Sequence, residues 1–414
     1  MAIQGLRDTS NFATNERPQN WRAAYLYLYP NGKAPLTALT TAMKSSSTDD
    51  PTFNWWELAL DDRRLSLGQN IAASAAGAVE IWTLNGSDNA KTFVANDVLL
   101  IEQTQELVLV YADPTSDTSI QVVRGWAGST PAAVTYTGAG INPNLLGVGS
   151  AYEEGSLAPT GVNYDPTQRY NNTQIFRRTL EITRTAAKTR LRTVDAVKEA
   201  RRQCLEYINI DMERAFWMGR RSSGTKNGRP YTTTAGIYNL MSSGNIYAAS
   251  AQGQTGKLDM DTLESYLELF FREGSSEKMV FTGNKGLLAL QQIVRKNSQY
   301  QFTSGIKEYN MNVTRVTTPF GDLVFKTHPL FTQNTGGTTG GTAYYGMNTS
   351  WFVLDMAEIS YRYLRDSDLN YQGDLAAVGQ DAMKSGYIAE CGIELHFPSV
   401  HFLLTGVNAG IEDL

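Results

Sequence analysis

The sequence predicts an α+β protein in which one long helix acts as a strut between β-rich regions. Three observations carry this reading. Apolar residues recur at three- and four-residue steps across 193–218, a turn-punctuated series of short strands fills 74–150, and alternating segments return in the C-terminal third. At 414 residues the chain is long enough for two or three structural units, at about 100–200 residues each. Charged residues make up 19%, below the ~25% of an average soluble domain. Aromatics reach 10%, through 21 Tyr, 15 Phe and 7 Trp. Few charges and many aromatics are the bias of buried protein–protein contact surface.

The same composition excludes several classes. With 42% hydrophobic residues the chain is not disordered. No run approaches the ~18 apolar residues of a membrane span. The net charge of −5 offers no whole-chain basic footprint for gripping phosphates. Cys204 and Cys391 are the two cysteines, too few for a disulfide framework or a zinc cluster. Residues 1–20 lack the apolar core of a secretory signal, so the Asn-x-Ser/Thr triplets at Asn85, Asn171, Asn312 and Asn348 read as chance matches. A reduced, soluble, cytoplasm-made protein is expected.

Taken in order, 1–50 reads as an extended arm with one short helix at 36–43, ended by the pattern-breaking polar run from Ser45 to Pro51. Residues 52–71 alternate loosely, with Phe53, Trp55, Trp56, Leu58 and Leu60 among Glu57, Asp61, Asp62, Arg63 and Arg64. Adjacent tryptophans point to opposite faces of a strand, so both faces need cover. A loop sandwiched between subunits meets that need. Strands at 79–84, 98–101, 107–112 and 120–124, separated by turn signals, suggest a small barrel or sandwich. A strand at 179–183 leads to the helix 193–218, about 39 Å long at 1.5 Å per residue and ended by Gly219. Asp261 and Glu264 form a capping box for a helix at 262–272. A buried strand at 278–282, a helix at 285–296 and a hairpin at 313–318 and 322–327 follow. The Gly/Thr-rich stretch 332–342 reads as a flexible loop, and 351–354, 359–364, 388–397 and 401–407 as strands.

Candidate chemistry is sparse. His396 and His401 are five apart in a predicted strand, hence on opposite faces, and His328 stands alone; all three read as structural. Cys204 lies on the apolar stripe of the long helix. The stretch from Gly219 to Lys226 resembles a phosphate loop, but Thr225 precedes Lys226 and a helix comes first, against the required order. Arg220, Arg221, Lys226 and Arg229 then read as a basic turn able to meet a partner's acidic surface or nucleic acid. Asp61 and Asp62 beside Arg63 and Arg64 read as an interchain ion-pair patch rather than a carboxylate dyad. No nucleophile elbow, zinc-protease or dinucleotide motif occurs, so no enzyme, cofactor or metal is expected.

Several local sequences carry a resemblance. They are Leu99-Leu-Ile-Glu-Gln-Thr-Gln-Glu-Leu-Val108, Val123-Arg-Gly-Trp-Ala127, Ala151-Tyr-Glu-Glu-Gly155, Thr173-Gln-Ile-Phe176, and Glu394-Leu-His-Phe-Pro398 followed by Leu404-Thr-Gly406. In this order they resemble the major capsid proteins of tailed bacteriophages, with the Hong Kong 97-like fold, in the branch carrying a β-domain inserted in the extended E-loop. The resemblance implies an N-terminal arm at 1–50, an E-loop at 51–73 and 151–178, and an inserted β domain at 74–150. It further implies a P-domain with its spine helix at 179–230, an A-domain at 231–345 and returning strands of both at 346–414. The implied function is self-assembly into hexamers and pentamers of an icosahedral shell around double-stranded DNA, which the lumen encloses without specific binding. Trp55, Trp56, Glu57, Asp61, Asp62, Arg63, Arg64, Arg220, Arg221, Lys226 and Arg229 would then make intersubunit contacts. The chain shows no long charged, helical leader, so a separate scaffolding protein is the implied partner, with a portal and a possible decoration protein. Two rivals are an encapsulin-type nanocompartment shell and a β-rich carbohydrate-binding protein or hydrolase using Trp55, Trp56 and Trp126 as sugar platforms.

Overall fold

The computed structural model describes residues 43–58, 60–85, 89–136, 143–189, 195–249, 258, 260–296, 302–308, 311–332 and 347–407. The expected short helix of the arm and nearly all of the Gly/Thr-rich loop lie outside these. The described chain divides into two compact units, one formed by 56–167 and the other by the segments before and after it.

The larger unit is organised by the helix Ala196–Met218. Asp195 caps its start, the carboxylate accepting the N–H groups of Val197 and Lys198 at 2.9 and 3.4 Å. The helix stops at Gly219, where a Cβ would lie 2.4 Å from the Ala215 carbonyl oxygen and 2.7 Å from that of Thr234. Only glycine allows so close an approach. Cys204, Ile208, Met212, Phe216 and Trp217 form the buried stripe. Part of this stripe packs on a sheet ordered Lys44–Thr48, Ile359–Leu364, Ala382–Leu395, Gln174–Thr183, with Asn370–Gln372 pairing beside Ala382–Leu395. Lys44–Thr48 runs parallel to Ile359–Leu364. This differs from the expected break after residue 44. Its residues have no apolar alternation, and backbone pairing to an open sheet edge makes the strand.

A second sheet has the order Ile246–Ala248, Phe402–Thr405, Trp351–Leu354, Glu277–Thr282, Asp322–Thr327, Met311–Thr317, Phe302–Glu308. Its central strands are apolar on both faces because both are covered. One set, Val280, Phe325, Trp351, Val353 and Leu404, packs with the helices Met260–Phe271 and Asn284–Lys296. The other, Met279, Phe281, Val324, Phe352 and Leu354, packs with Ile208, Met212 and Trp217 of the long helix. Trp217 lies 4.8 Å from Phe331, 4.9 Å from Phe352 and 5.2 Å from Phe281, centroid to centroid. Beside it, Glu213 and His328 are fully buried. His328 accepts the Leu330 N–H at Nδ1, so Nε2 carries the proton and donates to Glu213 at 2.9 Å.

The smaller unit contains an all-antiparallel sheet, in the order Arg64–Ser66, Asn144–Ser150, Asp97–Ile101, Glu106–Val110, Ser119–Val123, Val79–Thr83. Its two ends are bridged between Leu67 and Leu84, with Gly68 N–H donating to Thr83 and Asn85 N–H to Ser66, so the sheet closes as a small barrel. Leu65, Leu67 and Ile71 lie in its core with Trp82, Phe93, Leu99 and Val108. Residues 64–71, read from sequence as part of the loop, thus belong to the barrel, because Leu65 and Leu67 fall on its inward alternation.

Arg124 is fully buried at the end of this barrel. Its Nε and Nη2 donate to the two oxygens of Glu106, both at 2.8 Å, and Nη1 and Nη2 reach the carbonyls of Ala72 and Ala132. Glu80 lies 3.3 Å away as a second counter-charge. Burial works to raise the Glu106 carboxyl, but the bonds from Arg124, Gly125 and Ala132 bring it below the usual carboxylate range. Among the described residues no helix is long and apolar enough to cross a membrane. Replacing Arg124 by Met strands Glu106 in the core and should destabilise the protein by about 3–5 kcal/mol. The double variant R124M/E106L should recover most of that loss in chemical denaturation of the full chain.

Candidate functional site

The expected contact residues begin in the strand Thr52–Glu57, where exposed and buried positions alternate strictly. Phe53, Trp55 and Glu57 point inward, and Trp56 points out with 63% of its surface exposed. Trp55 stacks on Phe53 at 6.2 Å and lies 6.1 Å from the His396 ring. The expectation that Trp55 contacts a neighbouring subunit is therefore corrected: the two-residue period turns it into its own chain. Glu57, buried beside the same alternation, is corrected with it. Beyond Trp56, Leu58 is exposed and Leu60 is 97% exposed.

The next four charges are occupied at home. Asp61 accepts the backbone N–H of Arg63 at 3.0 Å, and Asp62 that of Arg64 at 3.3 Å. Arg63 pairs with Asp97 at 2.9 Å and Arg64 with Glu102 at 2.5 Å. Both arginines thus have carboxylate partners within the chain while remaining partly exposed. The reason is strand order: Asn144–Ser150 lies between Arg64–Ser66 and Asp97–Ile101 and brings those carboxylates across. The hydrogen bond from Arg64 holds the Glu102 carboxyl below its ordinary range.

Arg220, Arg221, Lys226 and Arg229 sit differently. Ser222–Lys226 and Arg229–Thr233 form a hairpin closed by Asn227 and Gly228, both at positive φ, as a two-residue turn requires. A strand in this place excludes the phosphate-loop geometry. Every residue from 221 to 231 is exposed. Arg221 lies 3.8 Å over the Tyr170 ring and donates to the Tyr170 carbonyl at 2.6 Å. Among the described residues no carboxylate pairs with Arg220, Lys226 or Arg229. A cleft of about 380 Å³ opens at the hairpin root, with Arg169, Arg220 and Arg221 on its wall beside apolar Trp55, Leu240 and Pro398.

Asn171 anchors that root. Its side-chain amide donates to Thr234, to the Ala235 carbonyl and to the Ile393 carbonyl, and its oxygen accepts the N–H groups of Asn172 and Ala235. Sequence reading met Asn171 only as a chance glycosylation triplet; its full burial fits that reading, but nothing local signals the anchor. Tyr170 gives no local signal for the same reason, since its partner Arg221 lies 51 residues away.

His396 and His401 do not share a strand, because a turn at Pro398–Val400 separates them. The broken alternation at that turn corrects the expected pairing of faces. His401 is held neutral by burial, which pushes it down to about 3; Nδ1 accepts the Asp355 N–H and Nε2 donates to the His396 carbonyl. His396 bonds Glu394 at 2.6 Å and lies 3.4 Å from Glu358, and Arg362 also bonds Glu394. Among the described residues no group of three or more His, Cys, Asp or Glu is placed to hold a metal. Cys204 and Cys391 are both buried.

The hydrogen bond with Glu394 raises His396 above its ordinary value, against burial, and Glu358 adds to the rise. Burial raises Glu394, but His396 and Arg362 outweigh it and hold the carboxyl low. A raised histidine adds stability that is complete below its unfolded value of about 6.5 and lost as pH climbs through the higher folded value. The lowered glutamate adds stability that is complete above about 4.5 and lost as pH falls through its folded value. The difference in unfolding midpoint between the wild-type protein and H396Q should therefore be largest near pH 5–6 and shrink toward pH 8. Thermal scans across that range measure it.

The profile of the SU10 major capsid protein family matches residues 23–408. The chain is 25% identical over 428 aligned residues to the major capsid protein of Pseudomonas phage PaMx41, covering 97% of this chain and 96% of that one. Among solved structures it is similar to the capsid of an empty GTA particle, with TM-score 0.48, 9% identity and coverage of 94% and 95%. It is also similar to the capsid of Myoviridae phage XM1, with TM-score 0.47, 9% identity and coverage of 98% and 100%. A match across nearly the whole chain settles descent: the protein belongs to the SU10 major capsid protein family and is a phage capsid subunit, not an enzyme.

Proposed function

We propose that this subunit closes an icosahedral shell of hexamers and pentamers around double-stranded DNA, using the Hong Kong 97-like plan that its sequence resembles. One observation carries the reading. The segments 58–63 and 151–166, with Trp56 at their start, expose large apolar side chains that include Leu60 at 97% and Leu157 at 91%. Burying such a side chain contributes about 1.5–3 kcal/mol, so a second copy has much to gain by covering them. These segments act as the E-loop, laid across a neighbouring subunit and free to bend between five- and six-fold rings.

In the same proposal the barrel faces outward, where a decoration protein could dock. A scaffolding protein and a portal complete the partners, and assembly takes place in the host cytoplasm. The lumen holds DNA without gripping it, since 36 Lys and Arg against 41 Asp and Glu suit phosphate contacts poorly.

Electron microscopy of the purified protein should show shells or capsomers; a dispersed monomer at every concentration overturns the reading. The variant W56A/L60A should lose assembly while keeping the wild-type unfolding midpoint, because both side chains are exposed in the single chain. Unassembled subunits should show no sequence-specific DNA binding, with residual binding gone at about 0.2 M salt. Sub-micromolar binding that survives such salt would point instead to a DNA-organising role.

A further inference from the structure

Two segments carry opposite and uncompensated charge. The stretch 219–233 contains Arg220, Arg221, Lys226 and Arg229 and no carboxylate. The stretch 151–168 contains Glu153, Glu154 and Asp165 and no lysine or arginine. Some exposed carboxylates elsewhere are paired within the chain, as Asp381 is with Arg184, Asp117 with Lys91 and Asp49 with Arg365. Glu153 and Glu154 have no such partner among the described residues. They stand at the tip of a tight turn, closed by the Ser156 N–H on the Glu153 carbonyl with Gly155 at φ +80°. Leu157, next along, is 91% exposed.

The cleft at the hairpin root has the matching chemistry. Arg169, Arg220 and Arg221 supply positive charge on its wall, and Leu240 and Pro398 supply apolar surface open to a second molecule. No carboxylate lines it. At about 380 Å³ it has room for a few side chains. Two carboxylates followed by an exposed leucine fit a cleft that is part cationic and part apolar, and a smooth polyanion such as duplex DNA does not use the apolar part.

We infer that the turn Glu153–Leu157 of a second copy seats in this cleft, with its carboxylates on Arg220 and Arg221 and Leu157 against the apolar wall. This rests on the reading that 151–166 reaches a neighbouring subunit, and it names the place reached. Arg221, already stacked on Tyr170, is pre-oriented, so little side-chain freedom is lost on docking. Arg220 supplies a charge that no carboxylate pairs with among the described residues. Complementary charge of this kind sets register and partner choice more than affinity.

The test uses full-length protein. E153R/E154R and, separately, R220E/R229E should each raise the concentration needed for assembly about tenfold at low salt, through like-charge contact. Combining the two sets should restore assembly toward the wild-type level. Cysteines introduced as E154C and R220C, in two chains mixed before assembly, should be joined by a short bismaleimide; the native cysteines are buried and stay silent. Circular dichroism and the unfolding midpoint of unassembled variants show that folding is intact. The inference fails if wild-type shells form and neither charge set shifts assembly, if the combined set does no better than either alone, or if the mixed cysteine chains assemble without being joined. Low-salt binding of duplex DNA that R220E/R229E abolishes, with assembly unchanged, also overturns it in favour of a nucleic-acid contact. Absence of any wild-type particle is a different result, since it removes the shell reading itself.

Discussion

One turn at the end of a helix holds the larger unit together. Phe216 meets Phe176 and Tyr361 edge-on, on the sheet that contains Gln174–Thr183, whereas Trp217 is ringed by Phe281, Phe331 and Phe352 on the other sheet side. Successive helix residues point about 100° apart, so two neighbours can serve two sheets from a single strut. Apolar packing alone would leave the helix free to rotate or slide, because the hydrophobic effect is non-directional. The buried bond from His328 to Glu213, four residues before Trp217, removes that freedom. A satisfied polar pair in an apolar core is a directional constraint, and a half-satisfied one would be costly.

Charge is used in two distinct ways. In the barrel, Arg124 and Glu106 are wholly buried and saturated by each other and by backbone groups. Such a pair adds little net stability over an apolar core of the same shape, but it permits one arrangement of the strands around it. At the barrel's entrance Arg63 and Arg64 find Asp97 and Glu102, and the surface is neutralised locally. The hairpin 222–233 does the opposite. It exposes its cations, and among the described residues no carboxylate pairs with Arg220, Lys226 or Arg229.

This division suits a particle built from many copies. Internal pairs fix the subunit where shape must be reproduced, and in the proposed shell the outward segments are the ones left to adapt between copies. An exposed ion pair is worth about 0–1 kcal/mol at most sites, too little to hold two proteins together alone. Repeated around a closed shell, contacts of this size act together, and loss of any one subunit requires several to break at once.

Much of the fold was legible from sequence because its signals are local. The cap at Asp195, the stripe from Cys204 to Trp217 and the stop at Gly219 all lie within one helix. The strands at 79–83, 97–101, 106–110 and 119–123 are bounded by their own turns. The candidate interface was legible only in part. Alternation alone could have turned Trp55 inward and Trp56 outward, but deciding which face was covered required the partners Phe53 and His396 in place. The strand Lys44–Thr48 has no pattern of its own and takes its conformation from Ile359–Leu364. Charges show the limit most plainly. The sequence by itself determined which residues carry charge and which segments are helix, strand or turn, since period and capping depend on neighbours along the chain. Only the tertiary structure decided that Arg63 is neutralised by a carboxylate 34 residues away, whereas Arg220 meets none among the described residues. Coulomb interaction depends on distance in space, and folding sets that distance.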